Sequence, residues 1–349
     1  MAAVSPAIDV LPGLRSACAE LAARADRSAA DGPWASGGMR ALATHGILAA
    51  FVPPEGGGTG QPEATLVSML AAMASSCLTT ALVLSQWAAA VRIIAGGPPT
   101  VRSALLPALA RGDACTTVGI SQLTTSRQHL GRPVLVAEQD GDGWRLDGLC
   151  PWVTGADACD TLVTGAATAD GGQLFFVVPT ATPGVAVDPP LEMLALGGSR
   201  TSVVRLTGAR PAHVIEPPER NAARTGGLAT TALALGSARA AIGIVAAEAD
   251  RRESLGPIAS GLGGDLDDLF GRLDRAAREG IAATDRDRLR AAANDLVLRA
   301  GQAALAASKG AGFVRGHPVE RLVRESLFFL VWSCPQAVTD ALLCELAGG

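Results

Sequence analysis

The stretch DGLCPWVTGADACDTLVTGA, residues 147–166, decides the architecture. It holds two short runs rich in Trp, Val, Thr and Leu, parted by Gly155, Asp157 and Asp160. Short runs of β-branched and aromatic residues bounded by Gly and Asp read as strands. The texture continues outward on both sides. PVLVAEQ, GWRLDG, QLFFVVP, GVAVDP and SVVRLTG share it, and GDGW and ADGG read as hairpin turns. From Cys115 to Ile215 this spacing predicts an antiparallel barrel or sandwich.

Beyond those limits the period changes to that of helices. Leu11 to Arg111 is rich in Ala and Leu, with PPEGGGTGQP (53–62) and GGPP (96–99) as breaks between about four or five helices. Pro62–Ile94 is apolar nearly all round and predicts one helix buried inside a bundle. After Ile215, Arg224–Arg252, Leu266–Glu279, Asp285–Lys309 and Pro318–Leu346 read as four helices of an antiparallel bundle. The expected class is therefore multidomain α+β. An N-terminal α-helical domain (1–113) precedes a middle β domain (114–217) and a C-terminal four-helix bundle (218–349).

Composition excludes several functions. With 349 residues and 48% hydrophobic content the chain can bury more than one core. A formal charge of -4 and a pI near 5.6 give no electrostatic basis for binding nucleic acid. The most apolar run, Leu228–Ala247, contains Arg239 and reads as a buried helix, so no membrane is expected. No basic start followed by an apolar run marks a leader at Met1. The seven cysteines (18, 77, 115, 150, 159, 334, 344) form no C-x-x-C pair, which favours reduced thiols in a cytoplasm. Four scattered His predict no zinc site.

Three motifs then carry a resemblance. Gly148 and Trp152-Val153-Thr154 match the G-x-x-x-W-[IV]-[ST] segment of acyl-CoA dehydrogenases, which in that family lies beside the flavin ring. LGGSRTSVVRL (196–206) resembles the stretch leading into the last strand of the family's middle domain. GAGFVRGHPVERLVRES (310–326) is similar to its C-terminal signature. The resemblance spans nearly the whole chain and implies that family's helical–β–helical fold, bound FAD and oxidoreductase chemistry.

It also implies site residues. Trp152 and Thr154, at i and i+2 of a strand, would share one face and offer a ring wall and a hydroxyl to the isoalloxazine. Ser121 stands where the family bonds the flavin pyrimidine. Arg252, in RRESLG (251–256), matches an arginine that reaches the pyrophosphate of a neighbouring subunit's flavin. Ser126, in the loop Leu123–Arg127, and Arg224 fall on the substrate side. The family's proton-abstracting glutamate maps to Ser333, and a second family location, near Gly226–Gly227, also lacks an acid. Glu216 and Glu219 are the nearest carboxylates to that second place.

The resemblance therefore implies FAD-dependent α,β-oxidation of an acyl thioester such as an acyl-CoA, with the base relocated or absent. Two alternatives stand beside it: a flavin monooxygenase of the same superfamily, and a half-catalytic or non-catalytic subunit paired with a homologous one. The implied partners are a further copy in a dimer or tetramer, and an electron-transfer flavoprotein or flavin reductase.

Overall fold

The computed structural model describes residues 12–25, 36–124, 134–217, 227–332, 338–340 and 343–344. Helices α1 (Pro12–Ala25), α2 (Ser36–Thr44), α3 (Ile47–Phe51), α4 (Glu63–Ser76), α5 (Leu78–Ala95) and α6 (Pro99–Arg111) come first. The single helix expected over 62–94 is two. At Cys77 the backbone is extended (φ −156°, ψ 101°). Just before it, the Ser75 and Ser76 hydroxyls donate to the Ala72 carbonyl at 2.7 and 3.3 Å. Such back-bonding competes with the helical ladder and favours a break. Pro99 opens α6, and Gly112, left-handed at φ 75°, closes it.

The strands are β1 (Thr116–Gly119), β2 (Leu135–Asp140), β3 (Gly143–Val153), β4 (Thr161–Thr168), β5 (Gln173–Pro179), β6 (Val185–Val187), β7 (Ser202–Ala209) and β8 (His213–Ile215). A one-turn helix, α7 (Ser121–Thr124), follows β1. They form one sheet in the order β6-β7-β3-β2-β4-β5-β8, with β1 added to β4. The sheet is mixed. Five pairings are antiparallel as expected, but β1 and β2 each run parallel to β4. Hairpins form at both predicted turns, where Gly141 (φ 61°) and Gly171 (φ 77°) supply the left-handed residue.

Alternation along β5 shows how the sheet is used. Phe175 and Val177 join the helical core, while Phe176 and Val178 point into a second core with Leu135, Leu146, Cys150, Leu162, Val204 and Leu206. One sheet face thus packs on helices and the other on the sheet's own core.

Helices α8 (Leu228–Ala249), α9 (Gly256–Glu279), α10 (Ala283–Ser308) and α11 (Pro318–Ser326) follow. Two differ from expectation. Helix α9 begins at Gly256, not Leu266, because Pro257 fits a first turn and Leu262, Leu266, Leu269 and Leu273 recur on its buried face. Helix α11 ends at Ser326 and passes into a 3-10 turn, Leu327–Leu330, instead of running on to Leu346. One core joins the helices on both sides of the sheet in sequence: Leu14, Met69 and Trp87 share it with Leu233, Leu296 and Phe329. At Gly236 a Cβ would overlap the Ala71 carbonyl oxygen, so α8 and α4 pack backbone to backbone. Helices α5 and α8 are long and apolar enough to cross a membrane, and 67% of each apolar window is buried within the protein.

Candidate functional site

The end of β3 is shaped by an irregularity. Its register against β7 shifts between Cys150 and Val153, where Pro151 has no N–H to give a ladder. Thr154 lies just past the end of the strand, so the alternation expected there does not extend to it. Trp152 is 54% exposed, Val153 is fully buried and Thr154 is 8% exposed. The strand stops at Val153, and Gly155 (φ 67°) begins a turn. Trp152 and Thr154 are close in space but do not present one shared open face.

Thr154 is instead part of a buried hydroxyl chain. Its Oγ1 lies 3.3 Å from Thr201 Oγ1, which lies 2.9 Å from Ser199 Oγ. Its carbonyl accepts from the Thr117 hydroxyl at 2.7 Å, which fastens the end of β3 to β1. Three hydroxyls own three protons, and the two bonds within the chain use two of them. One proton remains to be donated outside the chain. Sequence reading missed Thr201 and Ser199, although they stand in LGGSRTSVVRL, which was read only as the lead into a strand.

The turn carrying Ser199 holds two non-glycine residues in the left-handed region, Leu196 (φ 63°) and Arg200 (φ 47°). Such residues are uncommon and persist where surrounding bonds fix them. Here Gly155 N donates to Ser199 O at 2.9 Å, and Arg200 Nε donates to Asp157 Oδ2 at 2.8 Å.

Ser121 starts α7, which packs against β3. The next side chain, Gln122, is buried. Its Nε2 lies 3.0 Å from Gly119 O, 2.9 Å from Gly165 O and 3.2 Å from Thr164 Oγ1. Thr164 in turn lies 3.1 Å from Cys150 Sγ, and burial pushes that thiol up to about 12. This knot anchors the residue next to Ser121.

Arg252 stands elsewhere. At the end of α8 it pairs with Glu248 at 2.9 Å and donates to the Ala307 carbonyl. It lines a cavity of about 430 Å³ with Ser308, Lys309 and His317. None of Ser121, Trp152 and Thr154 lines that cavity. A second cavity, about 420 Å³, lies along the sheet between Gln139, Trp144, Asp170 and Gln173, with Glu216 at its rim.

Ser126, Glu219, Arg224 and Ser333 lie outside the described residues. The approach to Ser333 is described. Buried Arg290 donates from Nη2 to Trp332 O at 3.0 Å, Asn294 donates to Phe329 O at 2.8 Å, and Trp332 stacks on Phe328 at 5.3 Å. Among the described residues no group of three or more His, Cys, Asp or Glu could hold a metal ion.

Residues 14–113 match a family model described as acyl-CoA dehydrogenase, N-terminal domain. Butyryl-CoA dehydrogenase from Megasphaera elsdenii superposes at a TM-score of 0.83 over 99% of this chain and 98% of its own, with 18% identity. The chain has the acyl-CoA dehydrogenase fold. A probable acyl-CoA dehydrogenase of Bacillus subtilis (strain 168), YngJ, is 26% identical over 313 residues, 80% of this chain and 81% of the relative. KijD3, solved with FMN and dTDP-3-amino-2,3,6-trideoxy-4-keto-3-methyl-D-glucose, superposes at a TM-score of 0.78 with 23% identity, over 99% of this chain and 95% of that one. The acyl-CoA dehydrogenase fold thus accounts for the helices before and after the sheet as well as for the sheet.

Proposed function

We propose that this protein is a flavin-dependent oxidoreductase that binds FAD and acts on an acyl thioester, with the usual carboxylate base relocated or absent. The observation that carries the reading is the hydroxyl chain Thr154–Thr201–Ser199 beside the exposed indole of Trp152. A flat apolar ring with a polar edge needs a wall and a few fixed donors. Trp152 offers the wall, the remaining proton of the chain the donor, and Ser121 a second hydroxyl. The residues present fit such a group. When bound, FAD supplies a two-electron acceptor for a hydride from the substrate.

The other assignments follow from this one. Arg252, set apart in its own cavity, serves the diphosphate of the cofactor in a second copy of the chain, so the working form is a dimer or tetramer. Ser126 and Arg224 hold the thioester. Ser333 stands where the family's carboxylate takes the α-proton, and a serine hydroxyl without a partner base does not perform that step at useful rates. The three working units are residues 1–113, 114–217 and 218–349, and the working compartment is the cytoplasm. An electron-transfer flavoprotein reoxidises the cofactor.

Anaerobic titration of the FAD-loaded protein with a short-chain acyl-CoA tests this. Bleaching of the visible flavin band by the thioester supports it. Bleaching only by NAD(P)H with a flavin reductase favours the second reading, a flavin monooxygenase. The observation behind that reading is the likeness to KijD3, whose structure contains FMN and an amino sugar nucleotide.

A further inference from the structure

Two thiols face each other where the first helical block meets the sheet. Cys115 leads into β1 and Cys159 leads into β4, and their Sγ atoms lie 3.1 Å apart. Both are free, Cys115 half-buried and Cys159 buried. The backbone at each is pinned. Asp160 N donates to Cys115 O at 2.9 Å, Cys115 N donates to Asp160 Oδ2 at 2.7 Å, and the Thr180 hydroxyl donates to Cys159 O at 2.7 Å.

We propose that Cys115 and Cys159 form a redox site that a low-molecular-weight disulfide oxidises to an intramolecular disulfide. The sulfurs already touch across two strands held in register, so closing the bond asks for side-chain rotation and little backbone movement. The two thiols are unequal in the useful sense. A hydrogen bond from Cys159 pulls Cys115 below the ordinary thiol value, against the opposing effects of burial and of the Asp160 charge. Cys159, donating and buried, is pushed far up. A thiol that is lowered and partly exposed is the attacking one, and its buried neighbour resolves.

The steps balance. Cys115 thiolate attacks one sulfur of the small disulfide, forming a mixed disulfide and expelling one thiolate. Cys159 then gives up its proton, its sulfur attacks Cys115 Sγ, and the second small thiolate leaves. Two protein thiols are oxidised and one small disulfide is reduced to two thiols. The product would tie the end of α6 and the start of β1 to the turn that carries Asp157, the partner of Arg200. The proposal stands apart from the flavin reading, since it needs no cofactor.

The test treats the whole protein with oxidised glutathione at neutral pH and maps thiols by mass spectrometry. Digestion with trypsin and then chymotrypsin, which cuts after Trp152, separates Cys150 from Cys159. The expected result is a Cys115–Cys159 linked peptide and loss of two hydrogens from the intact mass. Cys159→Ser should stop at glutathione on Cys115, and Cys115→Ser should lose thiols at least tenfold more slowly. Glutathione remaining on Cys115 in the unsubstituted protein, or equal thiol loss in Cys115→Ser, would overturn the proposal. The unsubstituted protein decides the linkage by itself even where a variant folds poorly.

Discussion

Thr154 Oγ1 lies 3.3 Å from Thr201 Oγ1, joining two hydroxyls that are 47 residues apart in sequence. Either hydroxyl can donate across this bond, and Thr154 is one of the three that share the chain's remaining proton. Thr154→Val removes that donor while keeping the shape of the side chain. One hydrogen bond contributes about 1 kcal/mol, so FAD should bind about fivefold more weakly. Thr201→Val should act in the same direction through the chain. Equilibrium dialysis against FAD measures both, and unchanged affinity in both variants removes the chain from the site.

Arg200 occupies a left-handed conformation and pairs with Asp157, and both side chains are partly exposed at 41% and 23%. A pair this exposed contributes at most about 1 kcal/mol after solvent screening. Asp157→Asn should therefore lower urea stability only slightly. Arg200→Val should cost more, about 1–3 kcal/mol, because a β-branched residue is forced into the strained region. Urea unfolding of the two variants should rank them in that order.

Helices α4 and α8 touch at Gly236, where a Cβ has no room beside the Ala71 carbonyl. Gly236→Val should destabilise by about 1–3 kcal/mol through overpacking. Gly243→Ala lies on the same helix with open space around it, and should be neutral or slightly stabilising because alanine favours a helix. Equal unfolding midpoints for the two would contradict the close contact.

Glu320 and Arg324 form an ion pair at 2.5 Å on α11, and Arg324 also donates to the Leu194 carbonyl at 3.0 Å. The Arg324 guanidinium holds the Glu320 carboxyl below its ordinary value. A depressed folded-state value means that the pair's stabilisation is present above the unfolded value, about 4.3. It is lost as pH falls through the lower folded value. Glu320→Gln should be less stable than the unsubstituted protein at pH 7, by about 1 kcal/mol, and the gap should be narrower at a pH below about 4.3. Urea titrations at the two pH values read this directly.

The order of helix, sheet and helix was legible because the hydrophobic period changes sharply at Cys115 and again after Ile215. Finer breaks were not. Ser75 and Ser76 bond back to Ala72 and end α4 inside a run that is apolar on every side, where periodicity gives no boundary. Gly261, Gly263 and Gly264 made the start of α9 resemble a loop, yet open space surrounds all three and the leucines beside them set the helix. The parallel pairings of β4 depend on contacts distant in sequence, which local spacing cannot encode. The motif singles out Trp152 and Thr154, but the rule of alternating faces stops at Val153, where β3 ends. The partners of Thr154 come from another strand's approach, and only the fold brings them into reach.

Base placement gives a prediction about rate. Removing one acid–base group costs about 10²–10⁴ in rate, so simple acyl-CoAs should be slow substrates. Ser333→Glu should raise their oxidation, measured as anaerobic flavin reduction in stopped flow. Ordinary rates in the unsubstituted protein would move the base elsewhere, with Glu216 and Glu219 the first to replace.

On the proposed reading, the fold holds FAD at Trp152 and Thr154. The most direct measurement is FAD binding to the purified protein beside Trp152→Ala, read as bound flavin per chain after gel filtration. The expected result is about one FAD for each chain of the unsubstituted protein and a marked loss in Trp152→Ala, with the variant's far-UV spectrum unchanged. Equal flavin content in both, or none retained by the folded unsubstituted protein at saturating FAD, would contradict it.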